Sequence, residues 1–348
     1  APNHHDLCSS QPDALARADR PACARGLPMN AAAQLVADIG GTRARFALLD
    51  ENGFPQQLRI FEVSDFAGPQ QAIEAYLEEL GVASLQAAAM AIAAPVVGPV
   101  IRLTNAGWIF ARDELKAKLG LQRLLLLNDF SALALSLPHL GPADLRQVGA
   151  GVPVERAPKA VLGPGTGLGV SGVLFSRGHW LALDSEGGHC SLAPVDAREA
   201  AILALAWREF GHVSGERLLS GSGLPLLHRL VAVVDGRCTG PLSTAEIVDR
   251  ALLGRDPQCQ AVIETFCAML GSMAGNLALT LGAQGGVHVG GGIIPRLGEL
   301  FDDSPFRARF EAKGRFTSRL ATIPTYVIVS PTPALLGAAH ALAESESC

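Results

Sequence analysis

Two adjacent polar residues, Asn128 and Asp129, follow four consecutive leucines in the segment RLLLLNDF. Such an apolar run is typical of a strand covered on both faces of a sheet, and open α/β sheets place ligands at the carboxyl ends of such strands. A carboxylate is costly to bury there without a partner. Asp129 could be a general base that accepts the proton of an attacking hydroxyl, with Asn128 hydrogen-bonded to neighbouring hydroxyls. The structural alternative is that Asp129 caps the helix of the following segment, SALALSL.

Three further polar residues could bind a molecule with several hydroxyl groups. Glu186 and His189 lie in EGGH, and Glu216 lies in HVSGERLLSGSGL. A carboxylate accepts from two vicinal hydroxyls, and an imidazole can donate to another. Taken singly, Glu216 could be a first-turn helix carboxylate and His189 a loop histidine with satisfied hydrogen bonds. Together with Asn128 and Asp129 they suit a polyhydroxylated substrate, and such a site would reject analogues that lack a hydroxyl.

Three glycine clusters follow apolar strands and could bind phosphate groups through backbone N–H donors. They are Asp38-Ile39-Gly40-Gly41-Thr42, Gly163-Pro164-Gly165-Thr166-Gly167-Leu168-Gly169 and Gly290-Gly291-Gly292. The hydroxyls of Thr42 and Thr166 add donors, and Asp38 could hold Mg²⁺ through water. The alternative for each cluster is a hairpin turn that requires positive φ. The second cluster lacks the G-x-G-x-x-G spacing and no G-x-x-x-x-G-K-[ST] motif occurs, so a dehydrogenase and a Walker-type NTPase are poor fits.

The elements around these residues predict a duplicated α/β architecture. Strand-turn-strand hairpins are predicted over LVADIGGTRARFALLD and VLGPGTGLGVSGVLF. Helices are predicted in PQQAIEAYLEELG, in DELKAKLG from Asp113, in the long apolar segment QAVIETFCAMLGSMAGNLALTLG and in PALLGAAHAL. A strand, a glycine turn and a helix are predicted in GGVHVGGGIIPRL. Gly337, in the last helix, could permit the close helix approach that a hinge requires.

Composition limits the class of protein. The 348 residues suit two domains, and 49% are hydrophobic. A net charge of −5 without a basic stripe argues against nucleic acid or an anionic membrane as a partner. No apolar run approaches a membrane span, and the seven cysteines are scattered without a C-x-x-C pair. We predict a reduced, cytoplasmic protein in which residues 1–30 are a disordered extension.

Several long motifs, in order, resemble the bacterial glucokinase family of the hexokinase/actin-like ATPase superfamily over about residues 34–340. They are DIGGT, LTNAGWIF, LLNDFSALALSLP, GPGTGLGV, EGGHCSLAP, GHVSGERLLSGSGL, GGVHVGGGIIPR and KGRF. The resemblance implies a two-domain actin-like ATPase (hexokinase-type) fold with a ligand cleft between the domains. We expect a small α/β domain at residues 31–139 plus 334–348, a large α/β domain at 140–333, and a homodimer.

The resemblance also implies an activity: transfer of the γ-phosphoryl group of MgATP to the 6-hydroxyl of glucose. By resemblance, Asp129 is the catalytic base, and Asn128, Glu186, His189 and Glu216 bind glucose. The first two glycine clusters would face the ATP phosphates, and Gly290, Gly291 and Gly292 would face the adenosine.

The chain departs from the family pattern in two places. Arg43 stands where the family usually has Asn, so a cation there could add an ATP contact or crowd the phosphate loop. Cys190-Ser191-Leu192 replaces an acidic-aromatic segment. Two other classes remain as alternatives. One is a catalytically weak sugar sensor, for which Arg43 is the only hint; the other is an actin-like ATPase, which gives no reason for the hydroxyl-binding set.

Overall fold

The computed structural model of the protein describes residues 33–103 and 107–345. The extension predicted at residues 1–30 lies outside the described residues, as does part of the LTNAGWIF segment. The described strands are β1 Ala33–Ile39, β2 Arg43–Leu49, β3 Pro55–Glu62, β4 Leu85–Ile92, β5 Val100–Leu103, β6 Trp108–Ala111, β7 Arg123–Asn128, β8 Leu145–Val148, β9 Lys159–Pro164, β10 Leu168–Ser176, β11 His179–Leu183, β12 Val287–Val289 and β13 Thr325–Ile328. The described α-helices are α1 Pro69–Leu80, α2 Arg112–Lys118, α3 Asp129–Ser136, α4 Ala197–Trp207, α5 Gly215–Leu218, α6 Leu224–Val234, α7 Thr244–Leu252, α8 Pro257–Leu281, α9 Ile293–Leu297, α10 Glu299–Asp302, α11 Phe306–Glu311, α12 Thr317–Ala321 and α13 Pro333–Glu344.

Two mixed sheets share one local plan. The five-stranded sheet has the order β3-β2-β1-β4-β7, and the six-stranded sheet has the order β11-β10-β9-β12-β13-β8. Each begins with an antiparallel three-strand meander and continues with two parallel strands, β4 and β7 in the first and β12 and β13 in the second. Both predicted hairpins are therefore confirmed, and so is the repeated α/β pattern.

Local sequence explains several element boundaries. Helix α1 begins with Pro69, whose fixed φ suits a first helical position, and buries Ile73 and Tyr76. It ends where Gly81 takes a left-handed conformation, with φ of 67°. Helix α2 begins at Arg112, one residue before the predicted start.

The strand β7 is covered on both faces, as its leucine run predicts. Leu126 packs in the cluster that contains Phe46 and Tyr76, whereas Leu125 packs on the other face against α13 and α3. The chain therefore delivers Asn128 and Asp129 from a strand that packing holds in place.

The last helix, α13, returns to the first sheet. Leu335, Ala338 and Leu342 pack against small residues of β1, β2 and β4. The helix also crosses α3 so closely that a Cβ at Gly337 would lie 1.7 Å from the carbonyl oxygen of Ala132. The predicted close approach at Gly337 is confirmed.

The predicted long helix is α8, which is long and apolar enough to cross a membrane by length and composition alone. Most of its length is buried, and Phe266, Cys267 and Leu270 are in the main cluster around the second sheet. Helix α8 is therefore a core helix beside the six-stranded sheet.

Candidate active site

A cavity of about 890 Å³ lies between segments that follow strands of both sheets. Its volume is in the usual range for a ligand site. Most of the site residues predicted from the sequence are in its wall: Gly40, Gly41, Thr42, Asn128, Asp129, Gly163, Gly165, Thr166, Gly167, Glu186, His189 and Glu216. Asp38, Gly290, Gly291 and Gly292 are not in the wall.

Asn128, rather than Asp129, caps helix α3. The side-chain oxygen of Asn128 accepts hydrogen bonds from the backbone N–H groups of Phe130 (3.0 Å) and Ser131 (3.3 Å). Its amide nitrogen donates to the carbonyl oxygen of Ala94 (3.4 Å). The alternative in which Asp129 is the cap is therefore wrong, because Asn128 has the extended conformation that a cap requires and Asp129 is the first helical residue.

Asp129 is a carboxyl group with raised basicity. Burial, together with the negative charges of Asp38 and Glu186, raises its pKa to about 6, whereas a backbone hydrogen bond from Phe130 opposes the rise. A carboxylate of this kind is ionised at neutral pH and holds a proton more strongly than an exposed aspartate. Such a group is suited to accept a proton from a hydroxyl.

The three other predicted sugar ligands lie together on one side of the cavity. The Nε2 atom of His189 lies 3.8 Å from Oε1 of Glu216 and 4.0 Å from Oε2 of Glu186. Glu186 directly precedes the short 3₁₀ turn Gly187–His189, which ends at His189, and Glu216 is in the first turn of α5. The fold thus brings an imidazole between two carboxylates that are 30 residues apart in the chain.

Glu216 has a second contact, with the predicted phosphate loop. Its Oε2 accepts a hydrogen bond of 2.9 Å from the backbone N–H of Leu168. A Cβ at Gly167 would lie 2.4 Å from the same oxygen, so any larger residue there would displace the Glu216 carboxylate. Glu216 therefore touches the phosphate loop with one oxygen and faces His189 with the other.

The two predicted phosphate loops line the same cavity. The backbone N–H of Gly40 donates to the carbonyl oxygen of Arg43, which closes the first turn. In the second, the carbonyl oxygen of Gly165 accepts from the N–H of Gly221 (2.7 Å), and that of Thr166 accepts from the Ser222 hydroxyl (3.1 Å). Contacts with the loop after α5 therefore hold the second turn in shape.

The third glycine cluster lies behind the second loop. Gly291 has φ of 80°, and a Cβ there would lie 2.3 Å from the carbonyl oxygen of Pro164. The N–H of Gly290 donates to Leu162 on β9. This packing supports the phosphate loop from the side away from the cavity, and the role in binding adenosine stays a prediction.

Asp38 forms a partly buried ion pair. Its Oδ2 lies 2.9 Å from Nη1 of Arg45, and its side chain is 18% exposed. Burial raises the pKa of Asp38, whereas Arg45 opposes that rise. In the described part of the chain, no three His, Cys, Asp or Glu side chains cluster in a way that could hold a metal.

Arg43 turns away from the cavity. Its Nε lies 3.0 Å from Oε1 of Glu62 on the neighbouring strand β3, and both side chains are about half exposed. It is not among the residues of the cavity wall. The expectation that Arg43 either contacts ATP or crowds the loop finds no support in this geometry.

Comparison with known proteins covers nearly the whole described chain. The family model described as Glucokinase matches residues 35–345. The glucokinase of Chromobacterium violaceum is 50% identical over 319 residues, which cover 92% of this chain and 91% of that protein. The chain belongs to the glucokinase family.

Other glucokinases are similar to this chain in sequence or in structure over about the same length. The glucokinase of Neisseria meningitidis serogroup B is 48% identical over 309 residues, which cover 89% of this chain and 94% of that protein. The crystal structure of a glucokinase from an Antarctic psychrotroph superposes with a TM-score of 0.82 at 36% identity, covering 90% of this chain and 99% of that one. The expected two-domain actin-like ATPase (hexokinase-type) fold is thereby confirmed.

Sequence reasoning missed two polar residues of the site, Asp184 and Arg112. Asp184 lines the cavity two residues before Glu186, and its Oδ1 accepts a hydrogen bond from Ser131. Arg112 also lines the cavity, and its buried Nε has no hydrogen-bond partner among the described residues. An acidic residue directly after a strand was a usable signal for Asp184. No local pattern marked Arg112, because its position depends on how α2 packs beside the cavity.

Proposed function

We propose that the protein is an ATP-dependent glucokinase. It transfers the γ-phosphoryl group of MgATP to the 6-hydroxyl of glucose and yields glucose 6-phosphate and ADP. Membership of the glucokinase family over nearly the whole described chain supports this activity.

The observation that carries the chemical assignment is the position of Asp129. Its carboxyl group, with pKa raised to about 6, faces a cavity whose wall also includes the predicted phosphate loops and the Glu186, His189 and Glu216 cluster. A sugar hydroxyl bound in this cavity beside Asp129 would meet a base of suitable strength.

In the proposed reaction the sugar is held through its hydroxyls by Asn128, Glu186, His189 and Glu216. Because the amide oxygen of Asn128 is used in the helix cap, its NH₂ group is the part that remains for a hydroxyl. The 6-hydroxyl oxygen forms a bond to the γ-phosphorus, and the bond from that phosphorus to the bridging oxygen of ADP breaks. The hydroxyl proton passes to the carboxylate of Asp129, and the electron pair of the broken bond leaves with ADP.

Most of the acceleration comes from position and charge. The loops at Gly40-Gly41-Thr42 and Gly163 to Gly167 present N–H and hydroxyl donors to the phosphates. MgATP would bring a cation that neutralises developing charge, and we propose that Asp38, near the end of β1, would hold a water of its shell. The transition state is loose, so alignment of the two substrates contributes more than covalent help.

Several finer predictions belong to the same proposal. They are the assignment of residues 31–139 plus 334–348 and of 140–333 to two domains, adenosine binding at Gly290, Gly291 and Gly292, a homodimer and a cytoplasmic location. The alternative of a catalytically weak sugar sensor depended on Arg43, and the ion pair of Arg43 with Glu62 removes that hint.

A coupled assay of ADP release tests the activity. Glucose, mannose, fructose and N-acetylglucosamine are compared with and without MgATP, and we expect turnover with glucose. Asp129→Ala should abolish phosphorylation and leave glucose binding measurable by calorimetry. Near-normal turnover of this variant would refute the role of Asp129, and binding of glucose without ADP release by the wild type would refute the kinase activity.

A further inference from the structure

One hydrogen bond joins the helix that carries the proposed base to the loop that carries two proposed sugar ligands. The hydroxyl of Ser131 donates to Oδ1 of Asp184 at 2.5 Å. Ser131 is two residues after Asp129 in helix α3, and Asp184 is two residues before Glu186. The contact spans 53 positions of the chain. The contact therefore fixes the distance between helix α3 and the loop that begins at Asp184, which neither segment could fix alone.

The helix side of this contact is held firmly. Ser131 is 1% exposed. The first turn of α3 is closed by the Asn128 cap, whose oxygen also accepts from the Ser131 N–H. One residue further on, the carbonyl oxygen of Ala132 meets helix α13 at Gly337 with no room for a side chain. The Ser131 hydroxyl thus projects from a fixed frame.

The loop side depends more on the contact. Strand β11 is paired to β10 as far as Leu183, whose carbonyl oxygen accepts from the Ser171 hydroxyl (2.8 Å). From Asp184 to Glu186 the chain is exposed, and the hydroxyl of Ser185 only accepts from the nearby N–H of Gly187. The bond from Ser131 is therefore a long-range contact at the start of an exposed segment, Asp184 to Glu186, that leads into the buried turn at Gly188.

We propose that Ser131 and Asp184 are positioning residues that hold the sugar-binding loop at a set distance from the carboxylate of Asp129. This inference rests on the proposed glucokinase activity and deepens it. The bond is charge-assisted, since a hydroxyl donates to a carboxylate, and such bonds are stronger than neutral ones. Without it, Glu186 and His189 would still contact the sugar, but the 6-hydroxyl would be less well aligned with the base. Misalignment by about 1 Å can slow a reaction roughly 100-fold.

The test measures steady-state kinetics and glucose binding by calorimetry for Ser131→Ala, Asp184→Ala and the double variant. We expect kcat to fall roughly 10- to 100-fold in each single variant, whereas the dissociation constant for glucose changes by less than about threefold. The double variant should be no slower than the slower single variant, because both changes remove one contact. Ser131→Thr retains the hydroxyl and should restore most of kcat.

Ser136→Ala is the matched control. Ser136 is buried in the same helix, and its hydroxyl donates to the carbonyl oxygen of Leu133 within that helix. If Ser136→Ala lowers kcat as much as Ser131→Ala, loss of helix packing explains the effect and the proposal is overturned. If Ser131→Ala fails to fold, Asp184→Ala, at an exposed position, decides the matter alone.

Three other outcomes are distinct. Near-normal kcat in Asp184→Ala overturns the positioning role and leaves the kinase activity standing. Asp184→Ala could raise the glucose dissociation constant tenfold or more while Ser131→Ala binds glucose normally. Asp184 would then be a direct sugar ligand, and the positioning role would be overturned. If the wild type phosphorylates no hexose, the proposed function is refuted, and the positioning role is refuted with it.

Discussion

Replacing Asp129 by Asn should stabilise the protein while it destroys activity. The burial that makes Asp129 a stronger base also makes its ionised form costly in the folded state. An asparagine has nearly the same shape, carries no charge and can still accept the backbone hydrogen bond of Phe130, which lies 3.0 Å from the aspartate oxygen. The variant should therefore lose the base and keep the packing.

The magnitude follows from the rise in pKa. The pKa of Asp129 rises from 3.8 to about 6 in the folded protein, and each pKa unit corresponds to about 1.4 kcal/mol. The folded state holds the proton more tightly than the unfolded chain, so the wild type loses stability as pH rises from about 4 to about 6. Relative to the variant, the loss is about 3 kcal/mol at pH 8 and about 1 kcal/mol at pH 4.5.

The assay is urea unfolding followed by circular dichroism, for both proteins at pH 8 and at pH 4.5. Comparison at equal pH cancels the titration of all other groups to first order. Asp303→Asn is the control for loss of one negative charge. Asp303 is exposed at the end of α10, so the substitution should change the free energy of unfolding by less than about 0.5 kcal/mol at either pH.

A stability difference between Asp129→Asn and the wild type that is the same at both pH values would refute the reasoning, because it would not come from the proton on Asp129. A less stable variant at pH 8 would do so as well. It would mean that the carboxylate makes favourable contacts in the fold that outweigh its burial.

Three further predictions concern neighbours of the site. The kcat of the wild type should fall as pH is lowered through about 6, since protonated Asp129 cannot act as a base. Asp38→Asn should move this fall to lower pH, because it removes a negative charge that raises the pKa of Asp129. A pH–rate profile that does not move in this variant would contradict the coupling between the two residues. Arg43→Ala should change the KM for MgATP less than about twofold, because its pair with Glu62 is on the surface; a rise of tenfold would show that Arg43 serves the nucleotide. Gly337→Ala should lower the free energy of unfolding by about 2 kcal/mol or more in urea unfolding, because the new methyl group would overlap the carbonyl oxygen of Ala132. The control is Gly236→Ala, in an open turn, which should show only the smaller cost of its positive φ.

The sequence by itself determined the elements that carry the site and most of its residues. The apolar run before Asn128, the glycine turns after β1 and β9 and the helix stop at Gly81 are local signals, because strand burial and the ends of strands and helices depend on neighbouring residues. The resemblance over long motifs named the set of Asp129, Glu186, His189 and Glu216, and the fold places all four at one cavity.

The tertiary structure alone decided how these groups share their bonds. It assigned the helix cap to Asn128, paired Arg43 with Glu62, tied Glu216 to the N–H of Leu168, and joined Ser131 to Asp184. Apart from the cap, these contacts link residues 19 to 53 positions apart, so no local pattern could specify them. The basicity of Asp129 has the same origin, because its pKa depends on burial and on the charges of Asp38 and Glu186, which only the packed chain brings near.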